Sequence, residues 1–96
     1  MRVIFLAEAR VDAVEAFQWY EDERAGLGVV FRAAMDEAIK RVRLTPLTYP
    51  IQYRDLRRTI VHRFPYAVFY RIVAETVVIV GVIHARRPPS EWRRRT

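Results

Sequence analysis

The side chains able to do chemistry crowd into the second half of this 96-residue chain. One segment runs Arg57-Arg58-Thr59-Ile60-Val61-His62-Arg63-Phe64-Pro65-Tyr66-Ala67-Val68-Phe69-Tyr70-Arg71. The other runs His84-Ala85-Arg86-Arg87-Pro88-Pro89-Ser90-Glu91-Trp92-Arg93-Arg94-Arg95. Arginine brings a permanent charge and a planar fork of donors suited to phosphate or carboxylate. Aromatic rings between arginines can stack on bases. The same pattern also describes strands whose aromatics are core and whose arginines mark the ends, and the sequence leaves both readings open. Other chemistries are poorly supplied. There is no cysteine, hence no thiol nucleophile, thiolate metal site or disulfide. His62 and His84 stand 22 residues apart without a carboxylate at ligand spacing, so no metal site is expected. Gly26-Leu27-Gly28 lacks the strand, further glycines and lysine of a phosphate loop, and reads as a turn. The carboxylates of the first helix read as a solvated face.

Charge sharpens the contrast between the halves. Residues 1–48 carry seven basic and eight acidic side chains, and residues 49–96 carry ten and three. A net of −1 therefore faces a net of +7, which points to one basic face and an acidic or nucleic-acid partner. Sixteen of the seventeen basic residues are arginine, a bias that codon usage alone can also produce.

The elements that must position these groups follow from periodicity. Arg2 to Leu6 reads as a short strand. Ala9, Ala13, Ala16 and Tyr20 recur at helical steps and predict a helix over about Ala9 to Glu23, ended by Ala25-Gly26. Leu27, Val30, Ala34, Ala38 and Val42, widened by Phe31 and Met35, predict a second helix to Leu44, stopped by Pro46. The short link makes the pair an antiparallel hairpin. After a loop at Pro46 to Pro50, strands are expected over Gln52–Ile60, Ala67–Val73 and Thr76–His84, with a turn at Ala74-Glu75 and a bulge at Gly81. The expected fold is α+β, ordered β-α-α-β-β-β, with the hairpin on one face of a small, mostly antiparallel sheet. Residues 1–96 make one domain with a basic tail from about residue 88, and an apolar fraction of 52% argues against disorder. No apolar run reaches membrane-spanning length, and the lack of cysteine fits a cytoplasmic protein.

Both faces of the last two strands are apolar. Tyr66, Val68, Tyr70 and Ile72 alternate with Ala67, Phe69, Arg71 and Val73, and the final strand repeats the pattern. Two helices cover one face. The other needs the tail, through Trp92, or a second chain.

Read along its length, the chain resembles the RelE/ParE superfamily of toxins from type II toxin–antitoxin modules. Trp19-Tyr20, Gly26-Leu27-Gly28 with Phe31, Pro46, Tyr49-Pro50, Arg63-Phe64-Pro65-Tyr66 and His84-Ala85-Arg86-Arg87-Pro88 with Trp92 carry the resemblance by their order. It implies one of two activities. RelE-like members cut messenger RNA on the ribosome without metal, using basic side chains; ParE-like members inhibit DNA gyrase. Laid over residues 58–93, the RelE pattern puts a lysine position on Arg58, its general-base lysine on Ile60 and a strand arginine on Ala67. It keeps Arg87 and puts the C-terminal tyrosine on Arg93. Ile60 and Ala67 cannot move a proton or hold a phosphate, and arginine is a poor base.

The resemblance thus favours a ParE-like gyrase inhibitor neutralised by a cognate antitoxin, with no cofactor and with operator DNA reached only through the antitoxin. The expected antitoxin surface is Arg57, Arg58, Arg63, Val68, Phe69, Tyr70 and Arg71. The expected target surface is Arg86, Arg87, Trp92, Arg93, Arg94 and Arg95, on an extended tail whose removal after Arg87 leaves folding and antitoxin binding intact. The alternatives are a RelE-like ribosome-dependent endoribonuclease using Arg58, Arg63, His84 and Arg87, and a non-toxic co-repressor that only binds its antitoxin. Because losing one such group commonly costs about 10²- to 10³-fold, purified protein should leave messenger RNA uncut with or without ribosomes. Cleavage within codons, abolished by changing His84 or Arg87, is the contrary result.

Overall fold

The computed structural model describes all residues 1–96. In chain order the elements are β1 (Arg2–Phe5), α1 (Ala7–Glu23), α2 (Leu27–Leu44), β2 (Ile51–Tyr53), β3 (Leu56–Ile60), β4 (Tyr66–Val73), β5 (Thr76–His84) and α3 (Ser90–Arg93). The sheet order is β1-β5-β4-β3-β2. Only β1 and β5 run parallel; every other pairing is antiparallel. The expected α+β architecture is present with two differences. The single strand expected over Gln52–Ile60 is a tight hairpin, β2 and β3, turned at Arg54 with φ 55°. Its turn carries neither glycine nor asparagine, so sequence offered no punctuation there. The tail, expected to run extended, coils into α3. Pro89 occupies the α3 N-cap, where a proline's missing N–H costs nothing, so the proline pair starts a helix rather than forbidding one.

The helical hairpin packs through narrow stripes. Ala9, Ala16 and Tyr20 are the buried residues of α1; Gly28, Phe31, Met35, Ala38 and Val42 are those of α2. Val30, expected in that stripe, is exposed instead. The start of α2 has no side-chain cap of its own, because Gly26 sits there with φ 88°. Glu21, from the last turn of α1, supplies the missing acceptor. Its carboxylate accepts hydrogen bonds from the N–H groups of Gly26, Gly28 and Val29 at 2.8 to 3.3 Å. A Cβ on Gly28 would lie 2.6 Å from the Phe17 carbonyl oxygen, so this crossing of the two helices admits only glycine.

Each face of the sheet has its own core. Val68, Tyr70, Val77, Ile79 and Val82 meet the helices. Leu56, Ala67, Phe69, Val80 and Ile83 form a second cluster on the opposite face, closed by Trp92. The Trp92 and Phe69 rings stack at 4.7 Å with an interplanar angle of 22°. The chain therefore covers both apolar faces itself. At the expected bulge, Phe69 pairs with Gly81 and Tyr70 with Ile79, which leaves Val80 as the extra residue.

The loop after α2 is tied down from the sheet. The Tyr70 hydroxyl donates to the Pro46 carbonyl, and Arg57 donates to the carbonyls of Leu47 and Tyr49. Burial pushes the Tyr70 phenol up to about 12, with the charge of Arg57 opposing the shift and Tyr49 adding to it.

Two predictions follow from this packing. Trp92→Ala should cost about 3–5 kcal/mol, a large share of a small domain's stability. Truncation after Arg87 should cost at least as much, read as the urea midpoint; a truncated chain of wild-type stability would contradict the packing of α3. An unfolded tyrosine titrates near 10, so Tyr70 contributes stability that is intact below pH ~10 and lost as pH rises through about 12. Tyr70→Phe should flatten that alkaline loss, leaving only the part due to Tyr20 and Tyr66, whose phenols burial also raises.

Candidate functional site

β1 accompanies β5 only as far as Phe5 opposite Ile79. Beyond that point the outer edge of β5 has no strand beside it. Two charged side chains take its place. Asp12 of α1 accepts from the Val82 N–H at 3.0 Å, and Arg95 donates to the Val80 carbonyl at 3.1 Å. They also bind each other through two contacts, 2.6 and 3.2 Å. Both side chains are largely buried, at 9% exposure for Arg95 and 16% for Asp12, so removing either partner strands a charge. Arg95 Nε lies 3.3 Å from Glu8 but makes no hydrogen bond. Arg94 bridges Glu8 and Glu91, and its hydrogen bond holds the Glu8 carboxyl below the usual range. The tail is thus clasped to α1 and to the bulged strand.

Two grooves flank this clasp. One, about 550 Å³, lies between α1 and the tail, with Val11, Glu15 and Trp19 on one wall and Arg87, Glu91 and Arg94 on the other. Val11 and Trp19 are 55% and 57% exposed and stand together on the same groove wall. The other groove, about 300 Å³, opens on the sheet face away from the helices. Ala67, Phe69, Ile83 and Trp92 line it, and Arg58, His84 and Arg87 stand around it. Tyr66 borders both grooves; burial raises its phenol, and the charge of Arg87 works against that rise. His84 is committed locally, since its Nδ1 accepts the Arg86 N–H at 3.0 Å and its ring meets Tyr66 edge-on.

The structure sorts the residues singled out from sequence. Arg58, His84 and Arg87 come together at the sheet-face groove. Arg63, in a left-handed turn at φ 73°, lies instead beside His62, Glu37 and Arg41 against α2. Arg57 is spent on the loop carbonyls, and Arg71 pairs with Asp55 at 3.5 Å. Val68 and Tyr70 are fully buried beneath the helices, and Phe69 is buried beneath Trp92. None of the three offers an antitoxin any surface in the folded chain. On the tail, Trp92 is 7% exposed and Arg95 is locked to Asp12, so both hold the domain together rather than face a target. Arg86, Arg87, Arg93 and Arg94 remain at the surface. Periodicity overlooked Tyr53, Arg54 and Glu8, and it read Asp12 and Glu21 as solvated. For Asp12 a signal existed: it stands three residues after Ala9 and four before Ala16, on the buried stripe.

No group of three or more histidine, cysteine, aspartate or glutamate side chains is placed to hold a metal ion. No helix is long and apolar enough to cross a membrane.

A search of curated protein sequences finds no match. Among solved structures, a chain of the chromosomal ParDE toxin–antitoxin system from P. aeruginosa superposes with a TM-score of 0.78 at 14% identity, over 88% of this chain and 95% of that one. At that identity the likeness speaks for the fold. The family model described as the ParE toxin of the type II toxin–antitoxin system parDE matches residues 3–89, everything but the first two residues and the tail that closes the second core. The chain therefore belongs to the ParE toxin family of type II toxin–antitoxin systems.

Proposed function

We propose that this chain is a toxin that inhibits DNA gyrase and is silenced by a cognate antitoxin. The observation carrying the choice of target is the makeup of the sheet-face groove, which is rich in cations and poor in bases. Arg58 and Arg87 stand at the groove, and arginine is a poor general base. The Nδ1 lone pair of His84 is taken up by the Arg86 N–H and so is not free to accept a proton from a substrate. Ile60, 60% exposed, and Ala67 occupy the remaining wall. Such a surface binds anionic or polar partners well and is ill suited to taking a proton from a 2′-hydroxyl.

The antitoxin finds its apolar anchors on α1. Val11 and Trp19 are large, exposed and adjacent to one groove, while the sheet residues expected to serve are buried. Exposed tryptophan next to a concave surface is a common source of binding energy. Accessible Arg58 and Arg63 add charge for an acidic partner segment.

Purified protein added to gyrase and relaxed plasmid should block supercoiling, and a cognate antitoxin should restore it. Trp19→Ala should weaken antitoxin binding by about tenfold or more, a typical anchor effect, while gyrase inhibition persists. Unimpaired supercoiling at excess protein would overturn the target assignment. Ribosome-dependent cleavage in its place would transfer the chain to the nuclease reading.

A further inference from the structure

The sheet face away from the helices carries arginines that nothing in the fold neutralises. Arg54, Arg58 and Arg93 have no carboxylate within ion-pair distance, although almost every tail arginine beside them does. They are not loose, however. The Arg93 guanidinium lies 5.0 Å from the Tyr53 ring and 5.4 Å from the Trp92 ring. Arg54 sits 5.1 Å from Tyr53, and Arg58 lies 6.0 Å from Phe69. An aromatic face holds a guanidinium by its plane and leaves the N–H edge pointing outward, which orders the donors without using them. Between Arg58 and Arg87 the floor drops into the apolar groove of about 300 Å³, with Pro65, Ala67 and Ile83 on its walls.

We propose that this face binds single-stranded nucleic acid, with phosphates on the ring-held arginines and one unstacked base in the groove between Arg58 and Arg87, the latter already paired with Glu91. The two halves of the site select this ligand together. Ordered guanidinium forks suit phosphate oxygens, which a single strand presents at every nucleotide. The slot is apolar and opens beside the unpaired Arg58, and only an unpaired strand offers a flat base to fill it. A duplex presents phosphates with its bases stacked inside. An acidic peptide presents carboxylates and leaves the slot empty. The binding is non-catalytic, since it engages no base able to take a proton. It is independent of the gyrase assignment: that reading fails in a supercoiling assay, this one in a binding assay without gyrase.

The experiment is fluorescence anisotropy with a labelled 12-nucleotide single strand across a salt series, using the full chain. With about three phosphates engaged, log affinity should fall with log salt at a slope of about −2. Arg58→Ala/Arg93→Ala removes two of these contacts and should shallow the slope by about 1.4 while weakening binding at every salt concentration. Arg32→Ala, an exposed arginine on α2, should leave both unchanged. Circular dichroism melts confirm that each variant is folded. An unchanged slope in the double variant overturns the site. A duplex of the same sequence binding as tightly overturns the strandedness. Polyglutamate of equal charge competing as well as the oligonucleotide makes the occupant an acidic protein and overturns the proposal.

Discussion

The contact on which this fold depends is the clasp of Arg95 and Asp12 over the bulged part of β5. β1 is too short to accompany β5 to its end, so the central layer of the molecule has a stretch of bare edge. An exposed edge is a hazard, because its N–H and C=O groups recruit other strands. Here a carboxylate takes the N–H of Val82 and a guanidinium takes the carbonyl of Val80, and the two ions neutralise each other. A residue next to last in the chain thereby joins the first helix to the central strand. Once Arg95 is fixed, Trp92 is held over Phe69, and the second core is closed. The bulge is part of the same device. The Arg95 guanidinium lies 2.9 Å from where a Cβ on Gly81 would stand, so the absent side chain is the room in which the clasp sits.

The uneven charge of the sequence becomes a division of labour in three dimensions. Acidic side chains of the helices are partly consumed in holding the structure: Glu21 caps α2, and Glu8 and Asp12 fasten the tail. Arginines of the second half split likewise. Arg57 and Arg95 bind backbone carbonyls, whereas Arg54, Arg58 and Arg93 stay at the surface on aromatic supports. A count of charges cannot separate these groups. What separates them is whether a carbonyl or carboxylate lies within reach, and that is decided by topology.

Much of the architecture was legible because it rests on local periodicity. The α2 boundaries and those of β5 come directly from a stripe with a proline stop and from an apolar run bounded by polar turns. The Val80–Gly81 bulge was legible because glycine inside a strand has few other uses. The family was legible from the order of small motifs, none of them sufficient alone. What could not be read was long-range. Val68 and Phe69 look equally able to meet a partner; their burial depends on helices and a tail that are distant in sequence. The role of Asp12 needs residue 95, and the hairpin at Arg54 needs a turn that carries no turn residue. Sites made of contacts 70 or more residues apart, such as Asp12 to Val82, leave at best a faint mark on either segment.

The separation of Asp12 from Arg95 has a consequence for how the chain refolds. The two residues stand 83 positions apart, and their contact is among the longest loops the fold closes. The helical hairpin, by contrast, joins neighbouring segments. Contacts between distant residues form late, because the entropy of closing a long loop is lost before the contact repays it. The first core can therefore gather around the hairpin while the Phe69 face of the sheet still waits for Trp92 to arrive with Arg95. During that interval the open face is apolar, and its neighbours in solution are other copies of the same chain. Refolding at low protein concentration favours the closing of this face over its capture by a second molecule.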